Sequence, residues 1–487
     1  MRLNPEFRRY LWLELSLVRF VGMPLVLGGI FFLDAIGFHE AAEPFGGADM
    51  YEAITGGALV VIAAIVLFWG TRLAAGSLVQ EVADKTWDAQ RLSSLGPWAM
   101  TWGKLWGSTV YVWYGIVLSL AVAVVAMAIW NGIDGSVARL YGARVAIVIL
   151  QVVIGVTAFA TLIQATALVV ALTALHNREA SRRFDITFAQ FAALVVALLT
   201  WSMVDDVGDG RTEWFGYRFD GAWFAVASLG SFALWSVIGV WRRMQLELQV
   251  RIRPWLWPIF VIFVALWVAG FAWPGGRGET LDVLVPVVLA TLIVVFASYV
   301  PALFERLDPV RLRHLIAALR AGRLGEAIAD APLWIVNHGV ALVAVAAAAV
   351  YILALPVQPA AKLPFGLWDK SATLGTVAGT VVAIFLFVTR DLLLLTFAYL
   401  GRTTRRALTG WVLWLAVLYV LIPAILAALG FYAALPAFVP VWDVPFVDLA
   451  VPPVVWPVIH IAVVSVLLGL RWRRFATERI AGAAQAP

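Results

Sequence analysis

Apolar residues run along this chain in long unbroken stretches separated by short polar connectors, without the polar–apolar alternation of an outer-membrane strand. Stretches fit to cross about 30 Å of hydrocarbon are read at Val18–Phe38, Ile54–Arg72, Trp102–Ile129, Val145–Leu175, Ile186–Met203 and Ala222–Trp241. A second series follows at Leu256–Phe271, Val283–Leu303, Leu333–Leu355, Leu374–Val388, Leu408–Leu429 and Val451–Leu470. The pattern predicts an all-α membrane protein of about twelve transmembrane helices. The connectors after the fourth and tenth spans both end in an arginine pair, Arg182-Arg183 and Arg405-Arg406. Their matching position suggests a tandem repeat of two six-helix units, residues 1–244 and 245–487.

The connectors alternate in charge. One set carries Arg8 and Arg9, Lys85 and Arg91, Arg178 to Arg183, Arg242 to Arg253, Arg306 to Arg323, Arg390 to Arg406, and Arg471 to Arg474. The other holds Glu40, Glu43, Asp49, Glu52, Asp205, Asp206, Asp209 and Glu213. The positive-inside rule makes the first set cytoplasmic and puts both termini inside. Trp130, Trp214, Phe215, Trp273 and Trp442, near span edges, fit interfacial belts. No small-x-small cleavage site follows Phe38, so the first span reads as uncleaved.

Composition narrows the class. Residues are 63% hydrophobic and 13% charged, and mean hydropathy is +0.91. Soluble domains lie near about 45–50% apolar and about 25% charged. A soluble enzyme, a disordered scaffold and a disulfide-built secreted domain are excluded. With no cysteine, thiolate catalysis, cysteine zinc sites and iron–sulfur clusters are excluded too. The net charge of +5 is absorbed by the inside connectors, so nucleic acid is not an expected partner.

Within the predicted spans, ionisable groups are nearly absent. Asp34, Arg19 and Arg72 fall near span ends. Gln151, Gln164, Asn337, His338 and His460 read as interhelical hydrogen-bonding residues. The missing carboxylates argue against proton- or sodium-driven transport. His39, His176, His314, His338 and His460 show no metal-binding spacing, so no metal or cofactor is expected. The outer acidic loop from Glu40 to Glu52 offers an alternative: a membrane enzyme such as a lipid-linked glycosyltransferase. Without an acidic pair or metal cluster, it reads first as a solvated loop.

The segment between the second and third spans, within residues 75–97, is the most informative. Leu78, Val82, Ala89 and Leu92 recur at helical spacing, and Glu81 precedes Lys85 by four residues. Gly96-Pro97 then stops the pattern. The spacing predicts a short amphipathic helix at the inner surface, over Leu78–Leu95.

The string Gln80-Glu81…Lys85-Thr86…Gln90-Arg91-Leu92-Ser93…Pro97…Gly103-Lys104-Leu105 resembles the permease subunits of type-two ABC exporters. Asn4-Pro-Glu6-Phe-Arg8-Arg-Tyr-Leu-Trp-Leu-Glu14 is similar to that family's interfacial helix before the first span. The resemblance covers roughly the first six spans, residues 1–241. The second half matches in span pattern alone, a departure, since family members usually have six spans.

The resemblance implies a bacterial inner-membrane permease whose segment between the second and third spans docks on ABC ATPase subunits. Glu81, Asp84, Lys85, Thr86, Asp88 and Arg91 would make that contact. No Gly-x-x-x-x-Gly-Lys-Ser/Thr occurs, so ATP would be bound by the partner and no catalytic residue is expected here. In the second half, Arg306–Ala331, with Arg311, Arg313, Arg320 and Arg323 on an amphipathic helix, is the candidate counterpart; anionic lipid contact is its rival. The apolar spans favour a hydrophobic or amphipathic substrate. An ATP-independent carrier is the remaining alternative.

Overall fold

A computed structural model describes residues 4–42, 48–132, 138–176, 182–205, 210–250, 253–273, 283–305, 309–355, 374–401, 407–440, 452 and 454–483. Among the described residues, ten helices are long and apolar enough to cross a membrane. They are Leu17–Gly37, Ala53–Ala83, Val110–Ile129, Arg144–Ala174, Gly221–Glu247, Leu284–Phe304, Leu333–Ala354, Leu374–Tyr399, Ala407–Ala428 and Val455–Arg474. Ile186–Thr200 and Leu256–Phe271 are shorter apolar helices at the places of the expected fifth and seventh spans. The first crossing leaves Leu17, Val18 and Leu25 70% or more exposed, a surface that hydrocarbon tolerates and water does not. The chain is a multi-pass helical membrane protein.

Two compact units are formed, Met1–Thr212 with Arg218–Ile252, and Glu213–Tyr217 with Arg253–Pro487. In the first, α1 (Pro5–Glu14) is capped by Asn4, whose side chain accepts from the Glu6 amide, with Pro5 opening the helix. α2 (Leu17–Ala42) follows, and α3 (Ala48–Ala64) runs through a π-helical turn, Ile65–Gly70, into α4 (Thr71–Ala83). Next come α5 (Trp87–Arg91), α6 (Pro97–Trp102), a second π turn, Gly103–Gly107, and α7 (Val110–Gly132). α8 (Ala138–His176), α9 (Arg182–Asp205) and α10 (Gly221–Glu247) complete the unit. α8 packs against α10, α9 and α4, and α3 against α7. Buried Ala160, Ala167 and Ala171 on α8 join Ala189, Ala193 and Ala197 on α9, small residues that let backbones approach.

The acidic connector before α10 contains a hairpin of β1 (Arg211–Trp214) and β2 (Tyr217–Asp220). Phe215 and Gly216 turn it with φ of 49° and 74°, both left-handed as a two-residue hairpin loop requires. Asp220 then caps α10 by accepting from the Trp223 amide at 3.0 Å.

The second unit holds α11 (Leu256–Phe271), α12 (Leu284–Phe296), α13 (Tyr299–Phe304), α14 (Pro309–Arg320), α15 (Leu324–Asp330) and α16 (Leu333–Ala354). α17 (Leu374–Tyr399) and α18 (Ala407–Ala416) follow; a π turn, Val417–Leu421, links α18 to α19 (Ile422–Ala428), and α20 (Val455–Ala483) closes the chain. α17 is the most buried of the ten crossings. Val377, Val381, Phe385, Val388, Leu392 and Leu395 form its inward stripe at helical spacing. In the basic segment 306–331, the helix expected to carry Arg311, Arg313, Arg320 and Arg323 is two, α14 and α15, broken where Gly322 takes φ 72°. Arg311 and Arg323 there pair with Glu305 at 3.3 Å and Glu326 at 2.9 Å.

In the same unit, Trp214 at the hairpin tip donates its indole N–H to the Trp267 carbonyl at 3.0 Å. Its ring lies where a side chain on Gly270 would stand, so glycine is required there.

Candidate functional site

The segment between the second and third crossings departs from the expected helix. α4 continues the second crossing to Ala83, well past Arg72, and the chain then turns at Asp84–Thr86, with Lys85 in the left-handed region at φ 59°. α5 is a separate single turn, and Pro97 opens α6. The expected apolar stripe is lost: Leu78 is buried, but Ala89 is exposed and Leu92 is 89% exposed, while Trp87 faces inward. A single left-handed residue, Lys85, redirects the chain after it.

Glu81 does not pair with Lys85. It is buried, ion-paired with Lys104, and reached by Arg9 at 2.5 Å and by the Tyr10 hydroxyl at 3.0 Å. Lys104 is fully buried and also meets Glu6 at 3.2 Å and the Tyr10 hydroxyl at 3.1 Å. Arg9 closes the ring on Glu6 at 2.7 Å. The net charge of these four ionic groups is zero, as burial demands. Lys104 additionally stands near the faces of Tyr10 and Trp87, at 5.2 and 5.7 Å. Burial and the Glu81 carboxylate push the Tyr10 phenol well above its ordinary range. Burial lowers the Arg9 guanidinium, but hydrogen bonds to Glu6 and Glu81 outweigh it, and the net shift is upward.

Backbone shape makes this possible. Gly103 and Gly107, one turn apart, form the floor on which α1 lies. A Cβ on Gly103 would overlap the Glu6 side chain, and one on Gly107 would stand 3.2 Å from Tyr10. Asn4 fastens the start of α1 by donating to the Ala99 carbonyl at 2.6 Å.

The other expected partner-contact residues sit differently. Asp84, Lys85, Thr86 and Asp88 are exposed, and Arg91 is half-buried, 3.6 Å from Asp88. Thr86 folds back on the Glu81 carbonyl at 3.2 Å through its hydroxyl. An exposed polar turn is thus fixed directly to a buried ionic cluster. Glu6, Arg9, Tyr10 and Lys104 were missing from the expected site. Their signal was the adjacency of Gly103, Lys104 and Leu105 in an otherwise apolar run. Glu40, Glu43, Asp49 and Glu52 have side chains outside the described residues.

A second buried charged cluster corrects the sequence reading more sharply. The tenth span was expected to end at Val388, with Arg390 in a basic connector. α17 instead runs on to Tyr399, and Arg390 and Asp391 lie inside it, 2% and 0% exposed. Helical rise puts Asp391 about 12 Å before Tyr399 and about 26 Å after Leu374. The expected near-absence of ionisable groups in the spans does not hold for α17, and the argument against proton- or sodium-driven transport loses that premise.

Asp391 is fully partnered. Its Oδ2 accepts from the hydroxyls of Tyr299 at 2.6 Å and Tyr419 at 2.7 Å. Its Oδ1 accepts from Arg390 Nε at 2.8 Å, with Nη2 also 2.8 Å away. Arg390 Nη1 donates to His460 Nδ1 at 3.4 Å, and the guanidinium stands 4.9 and 5.0 Å from the Phe387 and Tyr419 rings. Tyr419 comes from the π turn, and Tyr299 from the start of α13.

Of the polar residues expected to bond between helices, Gln164 accepts from Thr109 at 3.0 Å and Asn337 donates to the Val294 carbonyl and the Ser298 hydroxyl, each at 3.0 Å. His338 meets Thr389 at 2.8 Å and stacks on Phe385. Among the described residues, no acidic or histidine cluster could hold a metal ion. Compared with known protein families, curated proteins and solved structures, the chain matches none.

Proposed function

We propose that this chain is the permease subunit of an ATP-driven exporter in a bacterial inner membrane, working with separate ABC ATPase subunits that bind the ATP. The carrying observation is the direct link from the exposed turn Asp84–Asp88 through Glu81 to Lys104 and Arg9. A partner that pushes the turn would move Glu81, and Glu81 is bonded to α1 and to the entry of the third crossing. Asp84, Lys85, Thr86, Asp88 and Arg91 are the docking residues in this reading, and Glu81 transmits. The two compact units would serve as the two halves of the pathway, in a repeat of six crossings each, with both termini cytoplasmic. The apolar crossings suit a hydrophobic or amphipathic substrate.

Purification of the tagged chain from its native membrane in mild detergent, with mass spectrometry of co-purifying proteins, tests this. A Walker-motif ATPase should be recovered, and should be lost from a D84A/K85A/D88A variant. No ATPase even after crosslinking would sink the reading.

A second reading, an ATP-independent carrier, is favoured by Arg390 and Asp391 within α17, since ionisable residues at membrane depth mark ion and proton pathways. Transport that persists without ATP but collapses with an uncoupler would support it over the first.

A further inference from the structure

We propose that Asp391 is a proton-binding site, taking up one proton within the membrane and thereby releasing Arg390. This goes beyond the permease reading and does not depend on it. Removing the charge from one member of a buried ion pair ordinarily strands the other at heavy cost. Here the guanidinium has a second set of partners already in place. Arg390 Nη1 reaches His460 Nδ1, and the cation lies against the faces of Phe387 and Tyr419. A carboxylate kept only to neutralise Arg390 would need no such second set.

The exchange balances. With Asp391 ionised, the pair is neutral. When a proton binds Oδ2, the acid O–H donates to the Tyr299 or Tyr419 hydroxyl oxygen, and that hydroxyl, now an acceptor, turns its own hydrogen away. The cluster then carries a single positive charge, on Arg390. The groups facing Asp391 are Tyr299 from α13, Tyr419 from the π turn and Arg390 beside it, and His460 from α20 faces Arg390. From α16, His338 reaches Thr389, and from α20 Arg471 stands over Phe397; α12 and α18 bring no titratable side chain to this cluster in the contacts described, α18 contributing Trp411. Protonation weakens the two hydroxyl bonds that hold α17 to α13 and to the π turn, so proton binding is linked to helix packing in this unit.

Infrared difference spectroscopy of the full chain in lipid nanodiscs tests this with the proton as the only ligand. As pH falls from about 9 to about 4, a range that covers imidazole titration and reaches into that of ordinary carboxyls, a protonated-carboxyl stretch should grow in the wild type. The part of it contributed by Asp391 should be missing from D391N, while the exposed carboxylates contribute equally in both. A carboxyl stretch that is unaffected by D391N, or one from Asp391 that does not change over that range, overturns the proposal. D391N resembles the protonated state and should melt within about 3 °C of the wild type, with R390Q well below it. Equal, large losses in both variants would show a structural pair and overturn the proposal. If D391N does not fold, D391E carries the assignment: its stretch should be displaced in frequency, and an undisplaced band overturns the proposal. The spectrum needs neither substrate nor ATPase, so its outcome is separate from that of either functional reading.

Discussion

Lys104 is fully buried and ion-paired with Glu81, across twenty-three positions of sequence. Neither residue could be tolerated there alone, because an isolated buried charge is far costlier than a paired one. The pair binds the end of the second crossing to the entry of the third.

Breaking it from one side should be severe. K104M and E81Q are each expected to lower stability by about 3–5 kcal/mol, since each leaves a charge unmatched. The double variant should lose less than the sum of the two. Thermal unfolding of the detergent-purified chain checks this, and additive losses would show that the two groups act independently.

The glycine floor under α1 makes a separate prediction. G103A should push Glu6 and α1 away, at about 1–3 kcal/mol, as overpacking does in tight interiors. G28A, where a Cβ meets nothing within 4 Å, is the control. The chain has no native cysteine, so a pair introduced at Asn4 and Ala99 should crosslink cleanly in the parent and poorly with G103A.

Asp84, Lys85 and Asp88 are exposed, and alanine there should shift stability by no more than about 0.5 kcal/mol. Loss of the ATPase partner without loss of stability would separate docking from folding. A large fall in melting temperature would remove that separation.

Tyr10 gives a pH dependence. Its phenol is raised in the folded chain, chiefly by burial and by Glu81, so the unfolded chain ionises first. The associated stability is fully present below about pH 10 and is lost as pH rises further. Melting temperature should therefore fall more steeply above about pH 10 in the wild type than in Y10F. Parallel curves would contradict the assignment.

Around Asp391, Y299F and Y419F each remove a hydrogen bond to a carboxylate and should cost about 1.5–3 kcal/mol. The two losses share one acceptor oxygen and should not add. Melting curves of both single variants and the double form a complete cycle.

Apolar length was readable directly: Leu333–Leu355 is expected and Leu333–Ala354 is found, because twenty-odd apolar residues have few other uses. Charges next to such runs were harder. Arg390-Asp391 looked like the start of a connector, yet Leu392 to Leu395 resume the apolar run at once, and this was the overlooked sign of a continuing helix. Glu81 and Lys85 have ideal helical spacing, and local spacing alone holds no record of Lys104 or of the left-handed turn at Lys85. The hairpin at Phe215-Gly216 was equally hidden, since its tip is fixed by Trp267 and Gly270, far along the chain.

The π turns Ile65–Gly70 and Gly103–Gly107 lie on either side of Glu81 in sequence, and the second contains Lys104. Such a turn commonly accommodates one residue beyond the α-helical count. Deleting a single residue from Ile65–Gly70 would let ordinary winding take over with the helix on either side still in phase, whereas the same deletion within α4 would turn all that follows by about 100°. Only in the second case would Glu81 face away from Lys104. The middle of the second crossing is therefore the place where the residue count can change without moving the cluster.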